Sequence, residues 1–165
     1  MLGCFVGLSL GPWACAENNL SGSLTSYYNV DFDRVQARLY KDSELAIEFV
    51  RDNGEVPVRI TIKADEAIKA KTYSLPRMGT VSGRSGDSDM PQLTSGSVTL
   101  DAFKAKQGET LSGTFTARFD VGKDELNLTG DFSARLELVA AVPGYHIDGY
   151  PPEVAGEEDE PEVTP

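Results

Sequence analysis

A chain of 165 residues, 40% hydrophobic and 25% charged, suits one globular domain with room for a real core. Its 15 Lys and Arg against 26 Asp and Glu leave a net charge of -11. That balance repels phosphate backbones and anionic headgroups, which argues against nucleic acid and against an electrostatic membrane contact. Cys4, Cys15 and the one tryptophan, Trp13, all fall within the first 16 residues. From Glu17 onward the chain therefore offers no disulfide, no thiol nucleophile and no cysteine-based metal site.

Residues 1–16 (MLGCFVGLSLGPWACA) are apolar, too short to span a bilayer, and followed at once by Glu17, Asn18 and Asn19. This is the profile of a secretory core and cleavage zone. No Lys or Arg precedes Arg34, so the usual basic start is missing, as a start codon assigned too far downstream would produce. Ala14-Cys15-Ala16 satisfies the small-x-small rule of signal cleavage. Ala14-Cys15 also resembles the end of a lipobox, in which Cys15 becomes the lipidated first residue, although Pro12 and Trp13 replace its usual Leu and small residue. Met1 to Cys4 forms a second, weaker match. The expectation is lipid attachment at Cys15 with residues 17–23 as a polar tether; the alternative is a soluble secreted chain beginning at Glu17.

The body then reads as strands. Residues 20–28 (LSGSLTSYY) open it, and Val30, Phe32, Val35, Ala37 and Leu39 predict a second strand with a phase slip near Asp33-Arg34. Asp42-Ser43 predicts a tight turn, after which Leu45, Ile47 and Phe49 alternate with polar neighbours. Asn53-Gly54 is a hairpin signal of the type I′ kind. Val56, Val58, Ile60 and Ile62 alternate next, with Pro57 marking an edge or a strand start. Residues 64–70 (ADEAIKA) are the one window that reads as helix, two turns of surface connector. Thr72 to Leu75 is a short strand, and 79–92 reads as a mobile Gly/Ser/Asp loop. Residues 93–103 return to strand, with Val98, Leu100 and Ala102 on one face.

The strongest pattern is 111–138. Leu111, Gly113, Phe115, Ala117 and Phe119 share one face of a run that turns through DVGKDE. Leu126, Leu128, Gly130, Phe132, Ala134, Leu136 and Leu138 then share a face of the return. A Ser/Thr-Gly phrase recurs at 20–25, 94–99, 111–116 and 128–133, with a large apolar residue two places after each glycine. Glycine on the inward face of a strand marks a bend or a close backbone approach, which predicts strands curling over a small core. From Val142 the pattern dissolves, and 141–165 reads as an acidic, Pro-rich disordered tail.

Chemistry is harder to find. His146 is alone and beyond the last strand, so neither a serine triad nor a zinc site can be assembled around it. Paired carboxylates occur at Asp31 and Asp33, at Asp87 and Asp89, and at Asp120 and Asp124. Of these, Asp87 and Asp89 are the candidate calcium ligands, although a site needs six or more oxygens and the EF-hand spacing is absent. A hydrolase using two aspartates is a further, weaker possibility. The Asn19 and Asn127 sequons match N-x-[ST]. Tyr27 and Tyr28 point to opposite faces, so one of them is a candidate partner contact.

With its leader, its Asn/Ser tether after Cys15 and its hairpins carrying SGxF strands through Leu138, the chain resembles bacterial envelope lipoproteins. The resemblance implies an exported location and a β-rich body and names no activity. The sequence thus predicts an all-β protein, a single antiparallel β-sandwich or small β-barrel of about eight strands with at most one short helix. Its domains are a leader at 1–16, a β domain at 17–140 and a tail at 141–165. The expected role is a non-catalytic binding or structural module of the envelope, with a protein or glycan partner and no cofactor, reaching the membrane only through a lipid. The alternative is a small-ligand or calcium-binding barrel.

Overall fold

The computed structural model describes residues 18–139, where the alternating pattern becomes 11 strands and one turn of 3-10 helix. In chain order these are β1 (Asn19–Ser21), the 3-10 turn (Ser23–Ser26), β2 (Arg34–Tyr40), β3 (Glu44–Val50), β4 (Val58–Lys63), β5 (Thr72–Leu75) and β6 (Gly79–Ser82). There follow β7 (Arg84–Ser85), β8 (Ser88–Asp89), β9 (Leu93–Ala102), β10 (Thr110–Val121) and β11 (Asp124–Val139). The protein is all-β.

Eight strands form one sheet in the order β5-β9-β10-β11-β2-β3-β4-β6, with β1 beside β11. Its terminal strands, β5 and β6, are neighbours in the chain, and the Met78 amide donates to the Ser74 carbonyl across their turn (2.9 Å). The sheet thereby curls into a nearly closed barrel. Curvature concentrates edges at one seam, which limits templated pairing with other chains.

The β10–β11 hairpin anticipated from sequence is the longest pairing, Thr110↔Arg135 through Val121↔Asp124. Gly122, with φ 66, takes the first of the two loop positions, where a left-handed corner is needed. The recurring glycines have a steric reason. Gly113 faces Phe132 and Gly130 faces Phe115 in the register, so each ring lies against the glycine of the opposite strand. A Cβ on Gly130 would sit 2.8 Å from the Phe115 ring and 2.5 Å from the Asn19 carbonyl oxygen.

One cluster of apolar side chains fills the barrel, including Leu39, Ile47, Phe49, Ile60, Tyr73, Val98, Phe115, Phe119 and Leu128. Phe49 meets Phe32 edge-on with centroids 4.9 Å apart and Phe115 at 6.1 Å. Burying a side chain of this size contributes roughly 1.5–3 kcal/mol against leaving it exposed.

Several local expectations change. The strand at 20–28 stops at Ser21, because Gly22 takes φ 129 against Asn127 and the chain turns into the 3-10 segment. Asn127 holds that corner: its Oδ1 accepts from the Ser23 amide (2.9 Å) and its amide donates to Ser23 Oγ (2.9 Å). The window 64–70 is not helical; Ile68 is buried in the barrel mouth and its amide donates to the Asp42 carbonyl (2.8 Å). The segment 79–92 contains β6, β7 and β8, because Gly79 and Gly83 let the backbone approach Thr61 and Pro57. Ala102 is exposed, since the register skips a residue at Asp101 and reverses the face beyond Leu100.

At the tip of β3 only Gly54 has positive φ. The Arg51 amide donates to the Glu55 carbonyl (2.9 Å) and the Gly54 amide to the Arg51 carbonyl (2.9 Å), a three-residue loop rather than the two-residue I′ turn. The chain's return beside its own end is parallel: β2 pairs with β11 from Leu136↔Ala37 to Val139↔Tyr40.

Candidate functional site

At one end of the barrel three loops converge on Arg51, the first residue after β3. Its Nε donates to the Asp31 carbonyl (2.9 Å), Nη2 to Ser85 Oγ (2.9 Å) and to the Asn29 carbonyl (3.3 Å), and Nη1 to Glu55 Oε2 (2.6 Å). One guanidinium therefore ties the crossover before β2, the β3–β4 loop and the β7–β8 hairpin into one rim. Its planar fork of donors suits such a junction, where a lysine would supply only a point charge. The same Arg51 hydrogen bond holds the Glu55 carboxyl below the usual carboxylate range.

Tyr27 and Tyr28 sit on this rim and diverge as their alternation requires. Tyr28 turns inward, and its hydroxyl donates to the Pro57 carbonyl (2.9 Å). Burial pushes its phenol up to about 12, against a lowering by Arg51 and a raising by Asp89 and Glu55. Tyr27 turns outward and is 62% exposed. Beside it residues 25–31 line an open depression of about 340 Å³. A large ring held out over a braced backbone is the usual form of a contact anchor.

Asp87 and Asp89 lie on the β7–β8 hairpin of the same rim. Both are exposed, and Asp89 pairs loosely with Arg84 at 3.8 Å. Asp33 is used in a turn, its Oδ2 accepting from the Asp52 amide (2.7 Å). Among the described residues no three His, Cys, Asp or Glu side chains gather as a metal site. Asp120 and Asp124 flank the hairpin turn at the end of β10. Cys15 and His146 lie outside the described residues.

A second charged constellation escaped the sequence reading. Glu48 on β3, which alternation assigns to the outer face, is 1% exposed. Its carboxylate accepts from Gln36 Nε2 (2.7 Å), Arg38 Nη2 (2.7 and 2.8 Å) and Arg59 Nε (2.7 Å). Gln36↔Glu48↔Arg59 is a single register row across β2, β3 and β4, so the signal was present as an opposite-charge cross-strand row. Only the strand order, which alternation does not supply, brings it together.

Comparison with family models, curated proteins and solved structures gave no match. The geometry must carry the reading alone. It offers a filled barrel with a braced, aromatic-tipped rim and a cationic outer wall. Among the described residues no helix is long and apolar enough to cross a membrane.

Proposed function

We propose that the protein is an exported, non-catalytic binding module of the bacterial envelope that engages a protein or glycan partner through the Arg51 rim. The observation that carries this reading is Tyr27, 62% exposed and followed by the Asn29 and Asp31 carbonyls that Arg51 holds, while the same guanidinium reaches Glu55 and Ser85 on the neighbouring loops. Side chains fill the barrel interior, which supports a binding surface on the outside of the fold. An exposed ring already immobilised at its base loses little entropy on binding, which is what makes such residues anchors.

Lipid attachment at Cys15 fits this reading and gains a geometric consequence. Because β1 spans Asn19–Ser21, the middle three residues of the supposed tether are a strand of the barrel. Three residues then separate Cys15 from the fold, and the span from Cys15 to Asn19 is at most ~14 Å when extended. An anchored barrel would be held close to its bilayer and present its surfaces to neighbours in that membrane.

Two measurements test the proposal. Intact mass of protein expressed with its native upstream region is expected to show an acyl adduct on Cys15; a free Glu17 terminus removes the anchor. A photo-cross-linking amino acid at position 27 is expected to capture a discrete envelope component in cells, whereas one at Lys123, on the hairpin turn, is not. Equal labelling from both positions would overturn the rim as the binding surface.

A further inference from the structure

The depression of about 340 Å³ beside Tyr27 is built from one stretch of chain, the crossover from the 3-10 turn toward β2. Tyr28 and Val30 back it as buried residues, while Ser26, Tyr27, Asn29 and Asp31 line it and are exposed. Asn29 is set in place, because its Oδ1 accepts from the Asp31 amide (2.9 Å) and its Nδ2 donors are left over. Among the described residues the Asp31 carboxylate, Asn29 Nδ2 and Ser26 Oγ make no hydrogen bond. Behind them Arg51 directs Nε, Nη1 and Nη2 to the Asp31 and Asn29 carbonyls, Glu55 and Ser85. No Lys or Arg is among the residues lining the depression.

We propose, resting on the rim as the binding surface, that this depression takes the uncharged end of a glycan, with a sugar ring stacked on Tyr27 and its hydroxyls held by Asp31 and Asn29. A pyranose face presents C–H bonds of partial positive charge, which suit the negative face of a phenol ring. A sugar hydroxyl both donates and accepts. Adjacent hydroxyls are therefore matched by an acceptor-only carboxylate beside an amide donor, the pair that Asp31 and Asn29 supply. A protein anchor, by contrast, sits amid apolar contact area that excludes water. Among the described residues the other exposed large apolar side chain is Leu138, and it pairs with Leu39 at the end of β2 far from this rim. Charge selects within the sugars. Asp31, Asp33, Asp87 and Asp89 stand exposed on the rim and Arg51 is already bonded, so phosphorylated and uronic glycans are repelled. The volume is at the small end for ligand sites, which fits a terminal sugar unit and not a buried length of chain.

An array of immobilised hexose, N-acetylhexosamine and uronic-acid oligosaccharides, probed with the full-length protein, tests the site, and the best-retained sugar is then titrated by NMR. The expected result is retention on uncharged glycans that persists at about 0.5 M salt, where charge pairs are screened. Amide shifts should concentrate at 25–31. Affinity should fall roughly tenfold or more in Tyr27→Ala and in Asp31→Ala, the scale of losing a central contact, while Tyr27→Phe keeps the ring and the binding. Neither side chain makes a hydrogen bond among the described residues, so these variants are expected to unfold at the urea concentration of the native protein. Retention on uronic glycans alone, or uncharged binding that survives Tyr27→Ala, would overturn the site. No retention on any glycan would overturn it as well, and the cross-link at position 27 then separates the two failures. A protein captured there keeps the rim and removes the sugar; nothing captured there removes both.

Discussion

Glu48 and Tyr28 show how single residues decide local stability here. Glu48 is a buried anion whose partners are two guanidiniums and an amide, so its removal takes a close counter-charge from both Arg38 and Arg59. Glu48→Ala is expected to cost about 3–5 kcal/mol in urea unfolding, the range for removing one partner of a buried ion pair. Glu48→Gln should cost less, since the amide oxygen still accepts one donor. Tyr28 acts through pH. In the unfolded chain its phenol loses its proton near 10.0, while burial holds it in the fold to about 12. Between these values the unfolded state binds fewer protons, so stability falls as pH rises. Unfolding curves across this range are expected to show that slope in the native protein and a shallower one in Tyr28→Phe. Below pH 10 the variant should be about 1 kcal/mol less stable, because the Pro57 carbonyl loses its donor.

Elements are specified here by what they must let past. Two strands rich in Ser, Thr and Gly have little to pack with on their own, yet β10 and β11 place each glycine under a phenylalanine of the other strand. The alternation made the hairpin legible in sequence; the reciprocal pairing was not, because register depends on the turn. Gly113→Ala would press a methyl group into the Thr99 carbonyl and to 2.7 Å from the Phe132 ring, so the strand must move. A loss of about 1–3 kcal/mol is expected, the scale of overpacking. Gly54→Ala provides the contrast, since nothing lies within 4 Å of its Cβ and the cost is conformational alone, at φ +89. If the two variants are destabilised equally while Gly113→Ala leaves the neighbouring Phe132 resonances unmoved, the crowding account of the repeat fails. Where sequence reading misjudged elements, a long-range contact had outbid local pattern. Ile68 was drawn from a helical window into the barrel mouth, and the Gly-rich 79–92 stretch was recruited to pair β6 with β4.

At the scale of the whole molecule the outcome depends on one strand serving two neighbours along the same edge. β11 pairs throughout its first part with β10, while its other edge is taken by β1 at Thr129 to Asp131 and by β2 from Leu136. Fold class was legible because period-2 alternation runs through β10 and the middle of β11. Closure was not, because it needs β5 and β6 to meet as the two ends of the sheet, a fact about order rather than pattern. The rim was legible only in part: Tyr27 was visible as a candidate, Arg51 was hidden in a turn signal. β1 is the shortest piece of this closure and the most testable. It covers the Gly130 edge with backbone bonds, adds Ser21 Oγ to Thr129 Oγ1 at 3.1 Å, and brings Asn18 Oδ1 to the Ser133 amide. A chain beginning at Gly22 would leave that edge open beside a polar but flat strand, and open edges pair with other chains. Such a chain is expected to lose about 2 kcal/mol, from a few hydrogen bonds of ~1 kcal/mol each. It should also show a higher mass in light scattering than the longer chain at the same concentration. Lys substitution at Thr129, placing charge on the newly exposed edge, should suppress the association without restoring the lost stability. Suppression of both together would mean that the strand acts as core cover and not as an edge guard.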